Sequence, residues 1–517
     1  MRNKFFYREW ELTESEKKIS TEEVELSGQI TGEKKNSPAL KPKRKSERKN
    51  VSRKYLRARW KHFISQDNKG NLLVEGINLK EIVKKYSSPL YVIVDEEIRE
   101  RCREFKNAFD YAPFRPQYAC KCNSNLEVLK IIQEEGFDFD ASSVGEIILG
   151  LLADFRPEQI TFTNLYKSKQ DIIFALEVGV SAITIDSLEE LATAIEAGKE
   201  INKAVPIMLR INPMITLGNY TTKKQQYGIP YSYAKKALIK VRDNPIIRLK
   251  GFHFHGSYSH NTKSYFLAAK KLIDLAVFAK QNGMLIEMLD FGGGFPVEAP
   301  AVYRPGKCFK PKDLGERFCP FLKNLCEKKE IPLPTLVFEP GKFIVANAGI
   351  GIIEVVSNKK LDKKEIVITN GSCYSMFPDV LVSHCDYEIL PGTKMRTKST
   401  HKYDIAGCTC DNIDVIATVQ KMPKLEKGDL LVVMDCGAYS FAMGSNFNNL
   451  KLAPIVKIDK EGKTKLIRRR DRYTEIFGPE LDVLKVAGKN EMKRFYDLLR
   501  KNYQKTKKEK FYQTKLV

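Results

Sequence analysis

The sequence predicts a closed (β/α)8 barrel of the TIM type over residues 90–348. A mainly antiparallel β domain follows, built from residues 349–490 and a short N-terminal flank at 56–89. Two features carry the barrel. Eight short β-rich runs alternate with amphipathic helical segments, an order that requires parallel strands joined by crossover helices. Polar or otherwise unusual residues gather at the C-terminal ends of these runs (Lys121, Asp140, Asn164, Arg210, His255, Gly292–Gly294 and Glu339), the rim where barrel enzymes hold their chemistry. A third feature marks the second domain: after residue 350 the helical spacing stops and strands follow one another through turns.

In chain order, residues 1–55 carry scattered charge, a Gly-Glu-Lys-Lys-Asn-Ser-Pro stretch and little apolar periodicity, which reads as a disordered basic extension. The stretch FISQDNKGNLLVEG (63–76) has hairpin character and is expected to pair with the C-terminal sheet. The barrel runs are QYACK (117–121), GFDFDAS (136–142), QITFTN (159–164), AITID (182–186), PIMLRIN (206–212), LKGFHFH (249–255), EMLDFGG (287–293) and TLVFEPG (335–341). Segments between them, such as SLEELATAIEAGKEI and SYFLAAKKLIDLAVFAKQ, have helical apolar spacing. The β domain continues through GIIEVVS, EIVITNG, YDIAGCT, DVIATVQ, GDLLVVMDCGAYS and APIVKI, and residues 491–517 form a basic tail.

A chain of 517 residues has room for two substantial cores plus tails, and its apolar content of 43% is ordinary for a globular protein. The net charge of +23 is not ordinary. Residues 41–60 hold ten Lys/Arg against one Glu, and residues 501–517 six Lys against one Glu, so these ends carry most of the excess. The first run could contact RNA, an anionic membrane or a nuclear import receptor. A solvated tail is the commoner fate of such runs, so no nucleic-acid partner is expected beyond tail contacts. No apolar stretch reaches the roughly 18 residues of a membrane span, and Met1–Leu12 is too charged for a signal peptide. Eleven dispersed cysteines, an odd number, predict reduced thiols and a cytoplasmic setting. Cys408-Thr-Cys410 has no second pair or His cluster beside it, so no metal is expected.

Lys121 ends its run between two cysteines. A lysine at a barrel rim can form a Schiff base with an aldehyde cofactor, although an arbitrary lysine is far more often at the surface or in a salt bridge. Three other features set this one apart. Asp290-Phe-Gly-Gly-Gly-Phe-Pro296 puts bare amides directly after a strand, where they can cradle a phosphate; alone, a glycine run is usually a plain turn. Glu339-Pro-Gly-Lys342 ends the eighth run with a carboxylate able to bind a protonated pyridine nitrogen, where an isolated Glu would more simply be ion-paired. His255-Gly-Ser257 ends the sixth run with an imidazole able to stack on a flat ring, although a lone histidine is more often structural. Schiff-base lysine, phosphate nest, pyridine partner and stacking group together describe a site for pyridoxal 5'-phosphate.

With these motifs in this order, from about residue 63 to 480, the chain resembles the fold-type III, alanine-racemase-like decarboxylases, the group containing diaminopimelate and ornithine decarboxylases. YACKCNSN is similar to that family's Tyr-Ala-x-Lys-x-Asn motif, and FDFDASSVGE to its Phe-Asp-x-x-Ser-x-x-Glu. GFHFHGS, DFGGGFP, EPGK, CTCDNID (408–414) and GAYSFAMGSNFN (437–448) follow. The resemblance implies that Lys121 holds the cofactor and exchanges it for the substrate amine, that Glu339 keeps the pyridine nitrogen protonated, and that His255 stacks on the ring. It assigns Gly293, Gly294, Gly341 and Tyr439 to the phosphate, with Ser257 or Ser259 nearby, and places Arg210 and Asp140 close to the ring. It also implies a homodimer with shared sites, in which the partner subunit's Cys410 delivers the proton that replaces the carboxylate. A free thiol, titrating near pH 8.5, suits that task. Asp411, Lys342 and Tyr439 would contact the amino-acid substrate.

Substrate choice follows from finer wording. GDLLVVMDCGAYSFAMGSNFN and LIRRRDRYTEIF look more like diaminopimelate decarboxylases than eukaryotic ornithine decarboxylases, implying conversion of meso-diaminopimelate to lysine. That subgroup grips a distal carboxylate with arginines, and two of those positions differ here. Glu-Pro-Gly-Arg is Glu-Pro-Gly-Lys342, which keeps the charge but loses the bidentate fork, and Arg-Pro-x-x-Tyr is Phe377-Pro-Asp-Val-Leu381. Asp411 stands where the subgroup has Glu, as in the ornithine type, whose other acid is Asn370 here. His255-Gly-Ser also lacks the usual spacer residue. The alternative is therefore another basic or conjugated diamino acid of the ornithine, lysine or carboxylated-polyamine kind. A racemase would need a tyrosine as a second acid/base, and CTCDNID suits decarboxylation better. A non-catalytic member resembling antizyme inhibitor is opposed by the retention of Lys121, Glu339, Tyr439 and Cys410.

Overall fold

The computed structural model describes residues 60–486 except 219, 257–261, 298–308 and 363, together with residue 497. The N-terminal extension 1–55, Ser257, Ser259 and all of the basic tail but residue 497 lie outside the described residues. The chain divides into a unit of residues 1–41 and a unit of 42–517, and the described residues all belong to the second.

All eight expected barrel strands form, in order: Phe114–Ala119, Asp138–Ala141, Ile160–Thr163, Ala182–Ile185, Val205–Asn212, Ile247–His253, Met288–Asp290 and Thr335–Phe338. Each pairs in parallel with the next, and the eighth returns to the first, with Leu336 opposite Phe114, to close the ring. Strands such as Ile160–Thr163 and Ala182–Ile185 are buried at every position, as a parallel sheet covered on both faces requires. Polar residues then stop the strand and start the helix. Asn125, Ser143, Ser168 and Ser187 accept hydrogen bonds from first-turn N–H groups of Leu126–Glu134, Val144–Leu152, Lys169–Val178 and Leu188–Ile201. Phe338, last in the eighth strand, packs its ring 4.7 Å from that of Phe109 and 5.3 Å from that of Phe295, which fixes the backbone just before Glu339.

The second sheet runs in the order 415–422, 401–406, 364–369, 349–361, 90–94, 455–458, 464–468, with Leu430–Val433 also paired to Gly349–Leu361. It is mainly antiparallel; Lys364–Thr369 with His401–Ala406 and Leu90–Val94 with Ile455–Ile458 are its parallel pairs. Leu90–Val94 thus lies within this sheet, so the N-terminal flank reaches past the boundary expected at residue 89. All five of its residues are buried, and an apolar run without alternation suits a strand covered on both faces. Residues 63–76 also depart from expectation. Their strands Ile64–Gln66 and Leu72–Val74, with Ile77–Asn78 just beyond, form a separate three-stranded sheet. It meets the second domain through Leu72 N–H to the Gly392 carbonyl (2.7 Å) and Met395 N–H to the Gly70 carbonyl (2.9 Å), rather than by strand pairing.

Candidate active site

Lys121 lies two residues past the end of the first barrel strand, in a 3-10 turn spanning Cys120–Cys122. Cys120 and Cys122 are both buried and anchor the turn, while the lysine side chain between them is 39% exposed. The second domain pins the same turn: Tyr439 N–H donates to the Cys122 carbonyl (2.9 Å), and the Asn123 amide donates to the Gly437 carbonyl (2.9 Å). Lys121 Nζ donates to Asp140 Oδ2 at 3.1 Å. Desolvation alone would lower the lysine's pKa, but the Asp140 and Glu339 carboxylates outweigh it and raise it. Asp140 is fully buried, and its Oδ1 has no hydrogen-bond partner. Burial, aided by repulsion from Glu339 and opposed by Lys121, pushes its pKa up to about 7.

Glu339 follows the eighth strand and is buried beside two histidines. His253 Nε2 lies 3.1 Å from Oε1, and His255 Nδ1 lies 3.6 Å from Oε2. Burial opposes ionisation of Glu339, yet His253, hydrogen-bonded to Oε1, and the Lys121 charge hold its pKa well below the usual carboxylate range. Burial lowers both histidines, His255 to about 4, so His255 is neutral near pH 7. The Gly293 N–H accordingly donates to His255 Nδ1 (3.2 Å). Asp290, on the seventh strand, accepts from Gly292 N–H (2.7 Å), and burial together with the Glu339 charge raises its pKa well above normal. Arg210 pairs with Asp186 (3.1 Å) and lies over the Tyr227 ring at 4.5 Å. The His253, His255 and Glu339 donor atoms, within 4.8 Å of one another, form the buried heart of the cluster.

The glycine run is shaped by close approach. Gly292 and Gly294 have φ of +65° and +92°, conformations that favour glycine, and Gly294 is exposed at the rim. A Cβ on Gly293 would strike the Glu339 carbonyl, and one on Gly341 would strike Cys122 Sγ. Lys342 Nζ lies 5.2 Å from the Tyr439 ring centroid.

Cys410 and Asp411 form a second group on the loop 407–414. Asp414 is buried at its centre and accepts from Cys373 N–H (2.7 Å) and Thr409 N–H (3.0 Å). Cys410 is exposed, with its N–H donating to Asn448 Oδ1 (3.2 Å), while Asp411 accepts from the Tyr374 hydroxyl (2.5 Å). Within one chain this loop is held by Tyr374, Cys373 and Asn448, whereas Lys121, Asp140, Glu339 and His255 are brought together at the barrel mouth.

These residues fit pyridoxal phosphate: a rim lysine, a buried glutamate kept anionic, a neutral histidine and an exposed left-handed glycine turn. Residues 95–346 match the family model described as the pyridoxal binding domain of pyridoxal-dependent decarboxylases. The diaminopimelate decarboxylase of Methanothermobacter thermautotrophicus is 30% identical over 428 residues, covering 80% of this chain and 96% of that protein. The chain belongs to the pyridoxal-dependent decarboxylase family. The diaminopimelate decarboxylase of Archaeoglobus fulgidus is also 30% identical, over 414 residues, 79% of this chain and 96% of that one. A crystal structure of diaminopimelate decarboxylase from M. jannaschii matches with a TM-score of 0.74 at 26% identity, covering 81% of this chain and 97% of that chain. This decarboxylase uses pyridoxal phosphate, and no helix among the described residues is long and apolar enough to cross a membrane.

Sequence reasoning missed four supporting residues of the decarboxylase. His253 shares Glu339 with His255, and the alternation in His253-Phe-His255 was the available signal, because a period of two sends both rings to one side. Asp290 and Asp414 stood inside the DFGGGFP and CTCDNID motifs without a role, and Asp186 ended the fourth run, since a carboxylate looks the same in sequence whether it faces water or a buried N–H.

Proposed function

We propose that this enzyme removes the carboxylate at one end of meso-diaminopimelate and leaves lysine. The observation that carries this reading is near end-to-end coverage of diaminopimelate decarboxylases at 30% identity by a chain whose barrel mouth holds the Lys121–Asp140 and Glu339–histidine groups. Lys121 would hold the cofactor, with Asp140 orienting its Nζ. The anionic Glu339 would keep a proton on the pyridine nitrogen, and neutral His255 would lie against the ring. Gly294, Gly341 and Tyr439 would hold the phosphate; Gly293, whose N–H is given to His255, would shape the turn, and Arg210 would stand near the ring. When bound, pyridoxal phosphate supplies the electron sink for the pair left as carbon dioxide departs.

The enzyme would work in the cytoplasm as a homodimer. Its ten described cysteines are all free thiols. Ile413, three residues from the exposed Cys410, is 57% exposed, and Phe447, next to the Asn448 that accepts the Cys410 N–H, is 38% exposed, an apolar setting that suits a second subunit. Across that contact the partner's Cys410 would protonate the carbon that lost its carboxylate, with Asp411 contacting substrate. Fully buried Phe377 favours a second reading, a diamino acid lacking the distal carboxylate, because position 377 offers the mouth no charge. Carbon dioxide release from meso-diaminopimelate, ornithine, lysine, arginine and a carboxylated polyamine precursor separates the two. Release from diaminopimelate is expected; release from another member alone would refute the first reading.

A further inference from the structure

We propose that Asp379 is a specificity-determining positioning residue, holding the Lys342 ammonium beside the Tyr439 ring so that Lys342 receives the distal carboxylate of the substrate. The assignment rests on the diaminopimelate reading above. Lys342 directly follows Gly341, whose missing side chain lets this backbone press against Cys122, next to Lys121. Its Nζ stands 5.2 Å from the Tyr439 ring centroid and 4.0 Å from Asp379 Oδ2, with the paired side chains 18% and 4% exposed. Tyr439 is itself tied by its N–H to the Cys122 carbonyl, so lysine, ring and cofactor turn form one block.

Position 377 cannot supply the positive charge instead. Phe377 is fully buried, edge-on to Tyr91 at 6.5 Å and tilted against Tyr387 at 5.8 Å. Of the two positions that depart from the arginine pattern, only Lys342 keeps a positive charge. Burial disfavours the charged form of an amine, and a nearby carboxylate favours it. Burial does lower the pKa of Lys342, and Asp379 is the foremost group opposing this. The Ser383 hydroxyl fixes the aspartate by donating to Oδ1 at 2.9 Å. At 4.0 Å the attraction is Coulombic, so Asp379 draws the Lys342 ammonium to one side and fixes its direction without a short hydrogen bond from Nζ to Oδ2.

The test uses the full-length, cofactor-loaded enzyme and its Asp379→Asn and Asp379→Glu variants. Calorimetry follows binding of L-lysine, which retains the distal carboxylate after decarboxylation, and of cadaverine, which has none. Asp379→Asn should weaken L-lysine about tenfold, as for loss of one charged partner that orients the ammonium. Cadaverine should bind as to wild type, which also reports intact folding, and Asp379→Glu should restore the lysine affinity. Equal shifts for both ligands, or none, would overturn the assignment while leaving the substrate reading intact. A wild-type enzyme that releases no carbon dioxide from diaminopimelate would overturn both.

Discussion

Gly292 lies between Glu339 and His255 at the barrel mouth, and replacing it with alanine separates two costs. Its φ of +65° is one that L-residues adopt at roughly 1–2 kcal/mol. A Cβ there would also stand 2.6 Å from His255 Nδ1, 2.8 Å from the Phe254 carbonyl and 2.9 Å from His255 Cα. Carbon contacts relax near 3.5–4.0 Å, so two backbone atoms must move by more than half an ångström, and overpacking of this kind costs about 1–3 kcal/mol. Gly283, in the turn after Lys263–Gln281, provides the control: its φ is +74°, and a Cβ there meets nothing within 4 Å. Gly283→Ala should therefore lower stability by the backbone cost alone, and Gly292→Ala by roughly twice as much or more. Urea unfolding of the cofactor-free protein measures both. Cofactor titration should show weakened loading in Gly292→Ala only, because Gly292 also accepts Glu339 N–H at its carbonyl (2.9 Å). If Gly292→Ala is no less stable than Gly283→Ala and loads normally, the close-packing argument for this turn is wrong.

Three further outcomes are expected. His255 has a folded pKa of about 4 against an ordinary 6.5, so the unfolded chain binds more protons between those values and stability falls as pH drops through that window. Compared with His255→Gln, the wild type should lose of the order of 3 kcal/mol from pH 7 to pH 4, read from unfolding midpoints; parallel curves for the two proteins would sink the assignment. Lys121→Ala and Cys410→Ala should each be inactive, yet unfolded and refolded together they should regain about a quarter of wild-type activity, since half the random dimers would hold one intact shared site. No recovery would place both residues in a single-chain site. Asp414→Ala strips the Cys373 and Thr409 N–H groups of their acceptor, costing about 1–3 kcal/mol; kcat should fall while cofactor absorbance is retained, and unchanged kcat would show that the loop needs no such support.

The barrel was legible because its signals are local. Each strand is an apolar run closed by a polar cap such as Ser143 or Ser168, and a cap is decided within a few residues. Leu90–Val94 was not legible in the same way. Its partners, Gly349–Ile352 and Ile455–Ile458, lie more than 250 residues along the chain, and an all-apolar strand reads alike in a barrel and in a covered sheet. At the site, residue types that carry chemistry stood out, as Lys121, Glu339 and His255 did. Their supports did not: Asp379 sits in a stretch whose recognisable neighbours are Phe377 and Pro378, and only the fold brings it near Lys342. The place of Lys121 beyond its strand, rather than on it, was set by the burial of Cys120 and Cys122, which composition does not distinguish from exposed thiols.

The central claim is that Lys121 binds the cofactor at this barrel mouth. Borohydride reduction of the purified, cofactor-loaded enzyme, followed by digestion and mass spectrometry of the peptides, measures this most directly. A pyridoxyl-phosphate adduct is expected on the peptide carrying Lys121 and none on that residue's Ala variant. An adduct located on another lysine, Lys342 or Lys167 included, would contradict it.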